Sequence, residues 1–192
     1  MRKLGLSVAG IVMAGMAAFM APAHANLVTN GGFETGDFSG WTQSGDTDFN
    51  GVQCSGPSSS VYAGRCAANI GSLDVSGIAQ TINFGSAGLK WDLSFALKAD
   101  DSDASTSFTA MFGGQTLLSL TDLSAGDYTV YRFSGVTTED NMALAFNFVA
   151  GFTFLGLDDV SVTASAVPEP VTTGLMGAGL ASLLFLRRRK TV

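Results

Sequence analysis

Through the middle of the chain apolar side chains recur at every second position, the period of a strand with one face buried. From Leu89 to Leu97, the residues Leu89, Trp91, Leu93, Phe95 and Leu97 fall on one face and Lys90, Asp92 and Ser94 on the other. The same alternation joins Ile78, Ile82 and Phe84; Phe108, Ala110 and Phe112; Met142, Leu144, Phe146 and Phe148; and Val160 and Val162. Shorter runs lie at Gln115 to Leu120 and Tyr128 to Phe133, and Gly, Asp and Ser clusters separate them. About eight to ten short strands punctuated in this way predict an all-β domain, a single jelly-roll β-sandwich.

The two ends break this pattern. Arg2 and Lys3 precede the apolar stretch Leu4 to Met20, and Ala23-His24-Ala25 follows it. Those are the three parts of a cleavable signal peptide, residues 1–25, which predicts an exported chain starting at Asn26. At the other end Pro168, Glu169 and Pro170 precede an apolar run from Val171 to Leu186, and Arg187, Arg188, Arg189 and Lys190 follow it. A helix over 171–186 spans roughly 24 Å, short of the ~30 Å hydrocarbon core, so it inserts only marginally. Gly174, Gly177 and Gly179 suit it to close packing against another membrane helix. The basic cluster holds the end on the cytoplasmic side. The two prolines keep 167–170 extended at the outer interface, open to a protease. A permanent single-span anchor is the competing reading of the same residues. The domain that works after export is residues 26–166.

The order of triplet, apolar run and basic cluster at the chain end resembles the PEP-CTERM sorting signal of Gram-negative bacteria. That resemblance covers residues 167–192 only. It implies an exosortase-type membrane protease as partner, anchorage in the inner membrane before processing, and delivery to the cell surface or beyond. The same motif carries an ice-binding C-terminal label, but the threonines of the middle domain are scattered and form no regular ladder.

Charge and residue usage narrow the chemistry. Within residues 26–166 only Arg65, Lys90, Lys98 and Arg132 are basic, against fifteen acidic residues, a net charge of −11 where the whole chain has −6. An acidic surface of this size argues against nucleic acid as a partner. The sole histidine, His24, falls in the signal peptide, which removes Ser-His-Asp, Cys-His and histidine-zinc chemistry from the exported domain. Asp46 and Asp48, and Asp100, Asp101 and Asp103, lie in loop composition and read as solvated turns rather than a catalytic carboxylate pair. The domain is therefore expected not to be an enzyme. Cys54 and Cys66 form an even pair in an exported chain and predict one disulfide across two strands or a strand and its loop.

The opening NLVTNGGFETGDFSGWTQ and the closing LGLDDVSVTA resemble the galactose-binding-like jelly rolls, among them many carbohydrate-binding modules. The resemblance implies that the first loop and the last strand lie side by side and share a structural calcium ion. It maps the calcium ligands onto Glu34 and onto Asp158 or Asp159. Asp158 has the parity of Val160 and Val162, so its carboxylate is expected on the core side and needs a partner there. Calcium, with main-chain oxygens from the Gly31, Gly32 and Gly36 loop, is one candidate; a cap on backbone amides is the other. Asp159 has the opposite parity and is expected in solvent unless the strand bulges. Trp91 is expected in the core and Trp41 as a seal on the first loop. Tyr62 and Tyr128 remain as candidate sugar contacts, while Tyr131 shares parity with Phe133. Two functions follow: an exported, non-catalytic surface or matrix protein that associates with exopolysaccharide, or a carbohydrate-binding module with a defined glycan.

Overall fold

The computed structural model describes residues 25–55, 60–103 and 105–166. The expected signal peptide, up to residue 24, and the tail 167–192 lie outside the described residues. Ten strands follow one another: β1 (Thr42–Gly45), β2 (Gly51–Cys54), β3 (Cys66–Ile70), β4 (Ser76–Asn83), β5 (Leu89–Ala99), β6 (Ser107–Phe112), β7 (Gln115–Thr121), β8 (Thr129–Val136), β9 (Asn141–Val149) and β10 (Leu155–Ala166). Among the described residues there is no helix. They form two five-stranded antiparallel sheets, in the order β1-β4-β9-β6-β7 and β2-β3-β10-β5-β8.

The alternation read from the sequence is what packs the sheets. Leu93, Phe95 and Leu97 of β5 meet Phe108, Ala110 and Phe112 of β6 and Leu144, Phe146 and Phe148 of β9 in one core. Phe95 sits at its centre, with ring centroids 5.0 Å from Phe146, 5.6 Å from Phe108 and 5.6 Å from Tyr131. Trp91 is buried edge-on to Phe112 at 4.9 Å, and Tyr131 is half-buried. The three short strands β1, β2 and β3 carry too few alternating positions to stand out in the sequence. They are held by pairing instead, β1 on β4 and β2 on β3.

The first loop lies against the last strand. Leu27 donates its amide to Val162 O at 2.7 Å, and the Asn26 side chain bridges the amides of Val28 and Val162. Trp41 closes the loop as expected: its indole donates to Asn30 O at 3.1 Å and its ring stacks on Phe33 at 5.8 Å.

β10 departs from simple alternation. Asp158 pairs with Ala96 and Ser161 with Ser94, so Asp159 and Val160 together oppose the single residue Phe95. Asp159 takes the left-handed conformation, φ 49°, which lets the strand absorb the extra residue. Leu155 and Leu157 before the bulge and Val160 and Val162 after it all point into the core. The expectation that Asp158 shares the face of Val160 and Val162 is thereby corrected. Asp158 shares the outer face with Gly156 and Ala96, and Asp159 is exposed.

Replacing Phe95 by Ala removes the ring on which four aromatic contacts converge and is expected to lower stability by about 3–5 kcal/mol in a denaturant melt. Phe152→Ala, at a ring 93% exposed, should leave the midpoint unchanged.

Candidate functional site

On the outer face of the second sheet, Asp158 is covered by the chain between β2 and β3. It is fully buried. Its Oδ2 accepts the amides of Tyr62 and Ala63, both at 2.9 Å, and its Oδ1 accepts the Asp159 amide at 2.6 Å. Burial pushes its carboxyl above the usual carboxylate range, and the three amides pull the other way. Glu34 acts on the next part of the same segment: its Oε1 accepts the amides of Arg65 at 2.7 Å and Cys66 at 3.1 Å. Those two amides hold its carboxyl below the usual range. The Cys54–Cys66 disulfide joins directly paired residues of β2 and β3 and closes the segment at its base. Among the described residues no cysteine is free.

Three clamps thus fix one loop, and that loop carries Tyr62. The two tyrosines singled out in the sequence come together, ring centroids 5.6 Å apart. Tyr128 donates its hydroxyl to Ser60 O at 3.1 Å, and Lys98 lies over its ring at 5.4 Å. Burial raises the Tyr128 hydroxyl well above its ordinary value, with the charges of Asp158 and Asp100 adding to the effect, so it stays protonated as a donor. Lys98 pairs with Asp100 at 2.5 Å. Beneath the Tyr128 ring lies Gly156, where a Cβ would stand 2.7 Å from the hydroxyl oxygen. Tyr62 remains 44% exposed, so the pair reaches the surface.

Calcium requires several oxygens converging on one point. Here Gly31 O accepts from Val160 N, both Asp158 oxygens accept amides, and Glu34 Oε1 accepts two. Among the described residues no three acidic, histidine or cysteine side chains gather as a metal-holding group. As placed, the Glu34 and Asp158 carboxylates accept main-chain amides, and the Asp159 side chain is exposed.

Two loop aspartates do more than the sequence suggested. Asp46 Oδ2 accepts the amides of Leu73 at 3.1 Å and Asp74 at 3.4 Å, tying the loop after β1 to the loop after β3. Asp103 Oδ2 accepts the Phe152 amide at 3.0 Å and ties the loop after β5 to the loop before β10. The amides of Asp74 and Leu73 hold the Asp46 carboxyl below the usual range, and the Ser105 hydroxyl and amide, with the Phe152 amide after them, do the same for Asp103. Asp48, Asp100 and Asp101 are exposed, as expected of turns. The tied loops form an apolar cleft of about 230 Å³ lined by Phe49, Leu73, Phe152 and Phe154. None of these four rings and chains stood out in the sequence, because each lies in a loop without a period. The available signal was their isolation in polar surroundings.

Comparison with known proteins agrees with both halves of this description. Residues 166–190 match the PEP-CTERM protein-sorting motif. A search of curated protein sequences finds no match to the chain. Among solved structures the chain is similar to TmCBM61 in complex with β-1,4-galactotriose, at 21% identity and a TM-score of 0.61, covering 73% of this chain and 99% of that one. It is also similar to a family 16 carbohydrate-binding module, at 15% identity and a TM-score of 0.52, over 72% of this chain and 99% of that one. A third similarity, at 16% identity and a TM-score of 0.56, covers 73% of this chain but 21% of the enzymatically active domain of bacteriophage CBA120 tailspike protein 4. The fold is that of the carbohydrate-binding-module jelly rolls, on a chain that carries a PEP-CTERM sorting motif.

Asp158→Ala leaves the Tyr62 and Ala63 amides without an acceptor and is expected to cost on the order of 3 kcal/mol in a urea melt, with Asp158→Asn costing less. Acid should act through the carboxyls that folding holds low. For Glu34, Asp46 and Asp103 the unfolded chain binds protons first, so their stabilisation is present above about pH 4 and is lost as pH falls through their folded values. Asp158, shifted upward, contributes with the opposite sign. Thermal melts across this range should show the midpoint dropping, and the drop should be shallower in an Asp46→Asn, Asp103→Asn double variant.

Proposed function

We propose that this is an exported, non-catalytic protein, sorted through its C-terminal motif by an exosortase-type membrane protease, whose jelly roll associates with polysaccharide. The observation that carries the polysaccharide contact is the Tyr62–Tyr128 pair, which reaches the surface, with the loop that carries Tyr62 clamped by Asp158, Glu34 and the disulfide. Sugar rings offer apolar C–H faces and polar edges, and a rigid aromatic pair flanked by Lys98, Asp100 and Ser60 answers both. The site is built before the ligand arrives, which lowers the ordering cost of binding.

The direction of β10 supports a surface role. Leu155 starts the strand beside the Phe154 end of the sandwich and Ala166 ends it next to Leu89, roughly 35 Å away for a strand of this length. A chain tethered through the motif that follows Ala166 turns its aromatic end away from the membrane. The exported domain also lacks the imidazole that most acid–base and nucleophilic sites require, and its aspartates are engaged as backbone acceptors or exposed in turns.

A glycan array probed with the exported protein tests this function. Binding to at least one glycan that falls about tenfold in Tyr62→Ala or Tyr128→Ala is the expected result; silence on every glycan removes it. Mass spectrometry of the exported protein should find its C-terminus within residues 167–170, whereas a retained Lys190 identifies a permanent anchor. Calcium at Glu34, Asp158 and Asp159 stands as a separate proposal, in which an ion takes over carboxylate oxygens now held by amides. A higher melting temperature in calcium than in chelator supports it, and identical melts remove it.

A further inference from the structure

The tyrosine pair is one part of a longer aromatic surface. Register along the outer face of the second sheet sets Gly156 of β10 opposite Lys98 of β5 and Asn69 of β3. One row further on, Phe154 O accepts the Asp100 amide at 3.0 Å, and the Phe154 ring lies over Gly71 where any side chain would collide with it. Phe49 approaches the same face of Gly71. Phe49, Phe154, Tyr128 and Tyr62 therefore share one face, rings at both ends and the polar atoms of Asn69, Lys98 and Asp100 between. Two residues along the strand and two strands across place Phe154 and Tyr128 about 12 Å apart at Cα. One sugar ring does not span that distance; a short chain of them does.

The charge around the cleft selects among such chains. Asp48, Asp74 and Asp101 are exposed in the loops that form it, and Asp46 and Asp103 hold its walls with carboxyls kept ionised. The neighbouring ammonium group, Lys98, already pairs with Asp100. A polyanionic glycan meets repulsion here, while a ligand that offers cations beside apolar ring faces is complemented on both counts.

We propose that the Phe49–Phe154 cleft and the Tyr62–Tyr128 pair are two subsites of one surface, and that its ligand is an extended chain of amine-bearing sugars. This rests on the polysaccharide function proposed above and names the class of glycan. Protonated amines would lie against the aspartates while sugar faces cover the rings at each end.

Titration calorimetry of the exported protein tests the assignment with three probes: a glucosamine hexamer, the same hexamer fully N-acetylated, and glucosamine itself. The expected order is the free-amine hexamer binding about tenfold or more tighter than either of the others, with affinity falling in added salt. Phe154→Ala and Tyr62→Ala should each weaken the hexamer about tenfold; Leu at either position is the substitute where the Ala variant melts early. Hexamer binding that Tyr62→Ala weakens and Phe154→Ala leaves unchanged overturns the second subsite and spares the polysaccharide function. Equal binding of the acetylated hexamer overturns the amine-bearing class. A chain that ignores all three probes but binds another glycan on the array overturns this ligand alone, and silence on the array as well overturns both.

Discussion

The buried carboxylate of Asp158 is the constraint on which the surface of this domain depends. A bulge in β10 moves it from the core side of the strand to the outer face, where it is fully buried. A buried charge of that kind is stable only if strong donors surround it. The donors are the amides of Tyr62, Ala63 and Asp159, so the carboxylate requires the chain between β2 and β3 to fold down over the sheet. That chain brings Tyr62 to Tyr128. Glu34 and the disulfide then hold the return of the segment into β3, and the aromatic pair is positioned by groups that never touch its exposed face.

The same use of carboxylates recurs across the molecule and explains how so acidic a domain holds its loops. With four basic residues against fifteen acidic ones, ion pairs cannot be the general solution. Glu34, Asp46, Asp103 and Asp158 instead accept main-chain amides from segments distant in sequence. Each bond neutralises an amide that a loop would otherwise expose and lowers the charge repulsion between neighbouring acids. Glycines complete the arrangement: at Gly71 a side chain would collide with the Phe154 ring, and at Gly156 with the Tyr128 hydroxyl. The result is an acidic, aromatic surface at the end of the sandwich far from Ala166.

Much of this was legible in the order of residues. The alternations in Leu89 to Leu97, Phe108 to Phe112 and Met142 to Phe148 each became a strand with the expected face inward. Cys54 and Cys66 paired, Trp41 sealed the first loop, and the Tyr62 and Tyr128 rings came together. What went astray was parity through β10. A period of two counts residues, and one extra residue at Asp159 reverses every face beyond it. Asp46 and Asp103 read as ordinary turns in the sequence, because an aspartate that caps its own loop and one that ties two loops have the same neighbours there.

The sequence by itself determined the all-β class, the core faces, the disulfide and the sorting motif, because each is a local or periodic feature that the chain carries wherever it goes. Tertiary structure alone decided where Asp158 points, that Phe49, Leu73, Phe152 and Phe154 meet in one cleft, and that this cleft shares a face with the tyrosine pair. Those depend on strand register and on loops separated by up to a hundred residues or so, and no period in the chain records which loop will lie beside which.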